Sequence, residues 1–224
     1  MASVASRYDR VKLLVGESGF EHLQNARILL LGVGGVGSFC LDALVRTGVK
    51  NITIVDADTY EITNQNRQIG SEAVGEVKVH RLATLYPTVI PLHVRIDEAW
   101  IKAHDFSAYD VVIDAIDDMR AKVALALHVK EGLVCSMGGA KRLDPTRICI
   151  DSIWNTTQDA LAKKFRYELR KAGFKGDLQV VYSSEPPNCT ALGSFVGVTG
   201  SFGLALASLA LRTLLASKNL PEST

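Results

Sequence analysis

Gly32-Val33-Gly34-Gly35-Val36-Gly37 sets four glycines between an apolar run, Ile28 to Leu31, and a helix-forming stretch, Ser38 to Thr47. In that setting backbone N–H groups and a helix N-terminus can approach a phosphate. Asp56 ends the next apolar run, Ile52 to Val55, at the spacing expected of a carboxylate that holds a ribose hydroxyl. These residues alone fit any nucleotide-binding α/β protein. The following segment, with Asp58, Asn64, Arg67 and then Lys78, narrows the chemistry. Amide, guanidinium and ammonium groups can bind and neutralise the oxygens of a triphosphate, which a dinucleotide-dependent dehydrogenase does not require. Arg67 could stabilise charge on a departing diphosphate. Lys78 could act as a point charge, although a lysine opening a helix reads, on its own, more readily as a surface residue. Asp58 either helps position magnesium or caps its loop. Asp114 and Asp117 follow the apolar run Val111 to Ile113, where hard carboxylate oxygens shared with phosphates suit magnesium. One of Asp117 and Asp118 is expected to cap the next helix. Gly138 and Gly139 close another apolar run and would allow a substrate near the backbone.

The elements that must position these groups alternate. An amphipathic entry helix, Val11 to Ala26 with a break at Gly16 or Gly19, precedes strand Arg27–Leu31, helix Gly35–Thr47 and strand Asn51–Val55. A polar loop leads to a helix near Val77–Tyr86, strand Val89–Val94, a short helix Glu98–His104 and strand Asp110–Ile113. Helix Met119–Glu131 and strand Leu133–Met137 complete a nucleotide-binding core over about residues 26–140. Such alternation predicts an α/β, Rossmann-like, mostly parallel sheet with helices on both faces and the strand C-termini along one edge. The rest, about 141–217, reads as an α+β extension of the same 7–217 domain: strand Arg147–Asp151, basic helix Thr157–Ala172, strand Gln179–Tyr182 and a loop with paired prolines.

Hydrophobic residues make up 47% of the 224, enough for a substantial core. Cys40, Cys135, Cys149 and Cys189 form no C-x-x-C pair, so no zinc knuckle or thioredoxin-type couple is readable. Three of them sit in apolar surroundings, and only Cys189 is a candidate reactive thiol. A reducing, cytoplasmic compartment fits. Met1 to Arg10 lacks the apolar stretch of a secretory signal. Leu192 to Leu211 is uncharged but glycine-rich, which predicts a buried loop running into a core helix rather than a membrane span; peripheral membrane contact stays open. Residues 141–175 carry nine Lys or Arg against four Asp or Glu, a local +5 in a chain of net +1. Lys163, Lys164, Arg166, Arg170 and Lys171 concentrate it on one helix, which suits RNA or simply a solvated face.

Taken together, Gly32 to Gly37, Asp56-x-Asp58, Asn64-x-x-Arg67-Gln68, Lys78 and Asp114-x-x-Asp117 resemble the adenylation domain of the ubiquitin-activating-enzyme superfamily, whose members use ATP and magnesium to activate a carboxylate. The closer resemblance is to its tRNA threonylcarbamoyladenosine dehydratase branch. It is carried by Thr63 to Ile69, Ser136 to Ala140, Asp144-Pro145-Thr146 with Asp151 to Leu161, and Val181 to Pro186. Asp159-Ala160-Leu161 departs from that branch's more usual Asp-Pro-Leu. The resemblance implies ATP-dependent cyclisation of threonylcarbamoyladenosine beside a tRNA anticodon. It implies that Gly32, Gly34, Gly35, Gly37, Asp56 and Asp58 line the ATP site. Asp56 would hold the ribose, Asn64, Arg67 and Lys78 the phosphates, and Asp117 the magnesium. Arg67, Lys78 and Asp117 would be catalytic. It further implies a homodimer in which Arg10 reaches the partner's ATP site. A monovalent cation (Na+ or K+) and a sulfur-transfer protein partner are left open.

Competing readings are an adenylyltransferase acting on the C-terminal glycine of a small carrier protein, a nicotinamide-dependent oxidoreductase, and a non-catalytic subunit. The first needs a protein-docking groove instead of a basic face. Asn64, Arg67 and Lys78 argue against the second, and the complete set of ATP-contacting residue types against the third.

Overall fold

A computed structural model describes residues 5–129 and 131–217; residues 1–4 of the N-terminal stretch, residue 130 and residues 218–224 lie outside the described set. The chain forms helices α1 (Asp9–Asn25), α2 (Gly37–Thr47), α3 (Lys78–Leu85), α4 (Glu98–Ala103), α5 (Met119–His128), α6 (Ala160–Lys171) and α7 (Val196–Ala216). Its strands are β1 (Arg27–Leu31), β2 (Asn51–Asp56), β3 (Val89–His93), β4 (Val111–Asp114), β5 (Leu133–Ser136), β6 (Ile148–Ser152) and β7 (Gln179–Ser183). They make one seven-stranded sheet in the order β3-β2-β1-β4-β5-β7-β6. All pairs are parallel except β6 with β7 at one edge. Pro91, which has no N–H to donate, is accommodated on the opposite edge strand, β3.

Alternation along β1 divides the core. Ile28 and Leu30 join Leu41, Leu44, Val79, Phe202 and Leu206 on one face, while Leu29 and Leu31 join Leu125, Phe165 and Leu169 on the other. Helices α4, α5 and α6 therefore cover one face, and α2, α3 and α7 the other. Aspartates fix several helix starts: Asp97, Asp118 and Asp159 accept N–H groups from the first turns of α4, α5 and α6. The entry helix is kinked at Gly16, where φ is +74°, as the sequence allowed.

The glycine-rich apolar segment differs from expectation. Only the residues before Val196 are loop; Gly197, Gly200 and Gly203 lie within α7 itself. They recur every third residue; Gly197 lies under the Phe195 ring, and α2 packs against Gly200 and Gly203. A Cβ on Gly203 would stand 2.4 Å from the Val36 carbonyl oxygen and 2.9 Å from the Cys40 nitrogen, and one on Gly200 would meet the Phe39 ring at 3.3 Å. The helix is long and apolar enough to cross a membrane, but 56% of its most apolar stretch is buried in this fold. It is the core helix that the sequence suggested.

Gly203→Ala should lower stability by about 1–3 kcal/mol, the usual cost of forcing extra volume into a packed interior. Alanine is otherwise the better helix former by about 1 kcal/mol. A chemical-denaturation midpoint equal to or above that of the parent would contradict the close α2–α7 packing.

Candidate active site

Strand register brings the sequence-selected loops to one edge. Leu31 lies level with Val55 of β2 and Asp114 of β4, so the glycine loop leaves the sheet between them. The order of strands reverses between β1 and β4, which is where an open α/β sheet presents its ligand crevice. The Gly32 N–H donates to the Val55 carbonyl at 2.8 Å, and the Ala115 N–H to the Leu31 carbonyl at 2.8 Å.

The four glycines do different work. Gly32 has φ +84°, and a Cβ there would sit 2.8 Å from the Ala115 oxygen. A Cβ on Gly37 would overlap the Gly32 carbonyl. These two are required by the approach of β1, α2 and the β4–α5 loop. Gly35 lets the stem of Arg67 lie against the loop, its added Cβ falling 3.2 Å from Arg67 Cγ. Gly34 faces Gln68, whose side-chain oxygen is buried without a hydrogen-bond partner. Gln68 belongs to the motif read from the sequence, but its orphaned oxygen was invisible there.

Asp56 pins the crevice. One carboxylate oxygen accepts the Val33 N–H at 2.8 Å and the other the Asp58 N–H at 2.9 Å. Each oxygen keeps a further lone pair for a hydroxyl donor. Lys78 is buried, against the surface reading of a helix-opening lysine, and its ammonium pairs with the exposed Asp58 at 2.9 Å. Asp58 is therefore a partner of Lys78 rather than a simple loop cap. Asn64 is buried, and its side-chain oxygen accepts the Glu61 N–H at 3.1 Å. Its amide NH2 remains to donate. Arg67 is half-buried and donates to the Thr63 carbonyl at 2.8 Å and to Asn66 at 2.9 Å. The Asn66 amide in turn reaches the Ser194 carbonyl at 3.1 Å, tying this loop to the start of α7.

The two carboxylates after β4 separate. Asp114 is fully buried with Lys122, Nζ to Oδ2 at 2.8 Å, and its other oxygen accepts the Ile116 N–H at 3.1 Å. That commitment removes Asp114 from the magnesium candidates. Asp118 caps α5 through the Ala121 N–H at 2.9 Å. Asp117, between them in sequence, is exposed. Among the described residues no group of three or more His, Cys, Asp or Glu could hold a metal. Magnesium at phosphates commonly takes only one or two protein carboxylates, so Asp117 suffices chemically. Arg10 lies exposed on α1.

The chain matches the ThiF family over residues 8–223. It belongs to that family. Among ThiF-family relatives, the tRNA threonylcarbamoyladenosine dehydratase of Bacillus subtilis is 39% identical over 81% of this chain and 76% of its own length. The structure of the Escherichia coli tRNA N6-threonylcarbamoyladenosine dehydratase in complex with AMP superimposes with a TM-score of 0.88 at 32% identity, covering 96% of each chain. The same enzyme has been solved with ATP, with a TM-score of 0.87 to this chain. By contrast the Escherichia coli molybdopterin-synthase adenylyltransferase, 32% identical, aligns with only 50% of this chain.

The fold also bears on two expectations beyond the nucleotide crevice. Cβ atoms added at Gly138 and Gly139 would meet Leu161 and Phe202, each at 3.5 Å, an ordinary packing distance. The positive charge of residues 141–175 is partly internal. Arg166 donates to the Thr156 carbonyl at 3.0 Å, and Arg170 lies over the Trp154 ring at 5.0 Å. Arg142 is buried, 3.4 Å from Asp159, and donates to the carbonyls of Gly138, Glu185 and Gln158. Glu185 then accepts the N–H groups of Leu143 and Asp144 at 3.1 and 2.9 Å. The residues beside Arg142 and Asp159, Lys141 and Gln158, hold positive φ angles of 68° and 55°. A buried polar network thus fastens α6 and the 184–195 loop to the end of β5. Cys189 lies exposed on that loop, its thiol 3.2 Å from the Ala191 carbonyl; Cys40 and Cys135 are buried and Cys149 half-buried.

Burial raises the Asp159 carboxyl above its ordinary value, opposed by the Ala162 N–H and the Arg142 charge. The folded state thus holds this proton more tightly than the unfolded chain. Its contribution to stability is present below the ordinary carboxylate value, about pH 4, and is lost as pH rises through the raised one. Asp159→Asn keeps a capping oxygen and removes the titration. Urea denaturation from pH 4 upwards should show the parent losing stability relative to Asp159→Asn as pH rises, and parallel profiles would contradict it.

Proposed function

We propose that the chain catalyses ATP-dependent cyclisation of threonylcarbamoyladenosine in tRNA, with net loss of water. The observation that carries this reading is the extent of the likeness. The dehydratases align through the post-sheet segment and α6 as well as the nucleotide crevice, whereas the adenylyltransferase is similar over about half the chain.

The chemistry needs charge neutralisation and alignment more than a protein nucleophile. The substrate carboxylate attacks a phosphorus of ATP, displacing pyrophosphate from the α-phosphorus to give an acyl-adenylate or ADP from the γ-phosphorus to give an acyl-phosphate. A nucleophile within the same side chain then attacks the activated carbonyl and expels the phosphate-bearing group. In this reading Asp56 takes the ribose hydroxyl, with the donors of the Gly32–Gly37 loop facing the phosphates. Asn64 offers its amide NH2, and Arg67 and Lys78 their charges, to phosphate oxygens. The Asp58–Lys78 pair holds the ammonium ready, and a phosphate shares or replaces Asp58 as its partner. Asp117 with the phosphates would hold magnesium, which neutralises triphosphate charge when bound. Lys163 and Lys171, exposed on α6, supply attraction for the tRNA backbone. The molecule works as a homodimer with Arg10 completing the partner's nucleotide site. A cytoplasmic location follows from the tRNA substrate and is compatible with the free thiols.

Incubation with ATP, magnesium and tRNA bearing linear threonylcarbamoyladenosine, followed by mild digestion and mass spectrometry, should reveal an ATP-dependent loss of one water. An unchanged nucleoside mass, with ATP–pyrophosphate exchange on adding a small carrier protein, would move the assignment to the adenylyltransferases. Arg67→Ala should reduce turnover about a hundredfold or more, the scale for removing a charge contact in the transition state. A near-normal rate would refute the phosphate role. Mixing inactive Arg10→Ala and Lys78→Ala proteins under subunit exchange should restore activity, because one site of each mixed dimer becomes complete. Persistent inactivity would place Arg10 outside the partner's site.

A further inference from the structure

An open cleft of about 510 Å³ lies beside the phosphate crevice, lined by Asp117, Asp118, Met119, Arg120, Leu161 and Lys164. Its walls are the β4–α5 loop and the first turns of α5 and α6. The fold separates the two ligand regions by strand: Asp56 and Lys78 approach from the β2 side of the glycine loop, and this cleft opens on the β4 side. The reversal of strand order runs between them. A molecule bound in the cleft would present its reactive end to a nucleotide at the reversal point.

The cleft's charges are distinctive. Asp118 is used as a helix cap. Other cations near this edge are committed within the fold: Lys78 to Asp58, Lys122 to Asp114 and Arg142 to Asp159. Arg120 and Lys164 are both exposed and, among the described residues, neither makes an ion pair. They come from different helices, and the half-buried side chains of Met119 and Leu161 lie with them in the wall. Two cations without an ion-pair partner among the described residues, Arg120 also lending its charge to Glu98, stand with an apolar patch in a volume within the usual range for small-molecule sites, roughly 300–1,000 Å³; with Asp118 used as a cap and Asp117 left to magnesium, they suit an anionic group on an organic side chain. They do not suit the nucleotide itself, which the glycine loop and Arg67 serve.

We infer that this cleft receives the carboxylate-bearing side chain of the substrate nucleoside, with Arg120 and Lys164 holding the carboxylate until it is activated and Met119 and Leu161 packing its apolar part. The assignment rests on the proposed cyclisation and names the substrate subsite for it. Both cations are binding residues that select for the carboxylate; neither transfers a proton or a group.

Arg120→Gln, Lys164→Gln and the double variant test it, both positions being exposed and so tolerant of change. Affinities are measured for ATP, for tRNA bearing linear threonylcarbamoyladenosine and for the same tRNA with unmodified adenosine, alongside kcat/KM for cyclisation. Each single variant should lose about tenfold in its preference for modified over unmodified tRNA and about tenfold in kcat/KM, as expected on removing a hydrogen bond to a charged group. ATP affinity should stay within about twofold of the parent. Equal weakening for both tRNAs, with a reduced salt dependence, would identify the cations as backbone-phosphate contacts and overturn the carboxylate assignment. Unaltered preference in the double variant would overturn it as well. Should the parent protein prefer modified tRNA but never cyclise it, the proposed activity would fall while the cleft assignment stood.

Discussion

The structure depends on a backbone contact at the point where strand order reverses. Gly32 and Gly37 allow the end of β1, the start of α2 and the turn after β4 to approach more closely than any side chain permits. That approach sets the distance between the two halves of the sheet edge. Asp56, accepting N–H groups from Val33 and Asp58, locks the β2 side of the junction. The Lys122–Asp114 pair, with the Ile116 N–H, locks the other. Both charges of that pair are fully buried, so removing either alone would strand its partner at a cost of about 3–5 kcal/mol. The interaction is better understood as fixing the loop that bears Asp117 than as a source of net stability.

Much of this was legible in the sequence because the relevant signals are local. The glycine loop, the alternation of apolar runs with amphipathic stretches, and carboxylates at strand ends all act within a few residues. Strand β1 and the break at Gly16 emerge where the pattern predicts them. What was not legible depends on long-range pairing. Nothing in the spacing of Asp114 and Asp117 tells which is consumed by a buried lysine; Lys122 resembles any polar residue on a helix. The same holds for Lys78, whose burial follows from its pairing with a residue twenty positions earlier. Glycines 197, 200 and 203 looked like loop residues because glycine weakens helices in isolation. In the fold Gly200 and Gly203 are tolerated since α2 supplies packing that outweighs propensity.

The basic stretch teaches a related lesson about charge. Net charge counted along a sequence treats every Arg and Lys as equivalent, yet Arg142 and Arg166 spend their donors on backbone carbonyls inside the protein. A guanidinium with several fixed donors is well suited to that task. The lysines of α6 remain outside. The polyanion-facing surface is thereby smaller and more sharply placed than the composition implied, and it lies on the helix whose first turn borders the cleft beside Asp117.

The position of α7 has a consequence for synthesis. It is the final described element, yet it covers the sheet face formed by strands made much earlier and meets α1, where His22 Nε2 lies 2.9 Å from the Leu214 carbonyl oxygen. Until α7 is made, the apolar surface of α2 and of the central strands that it buries has no cover. Exposed surface of this kind is what chaperones bind and what aggregation exploits. The sheet can pair progressively as its strands emerge, but the part of this face that α7 covers stays open to water until α7 itself has been made.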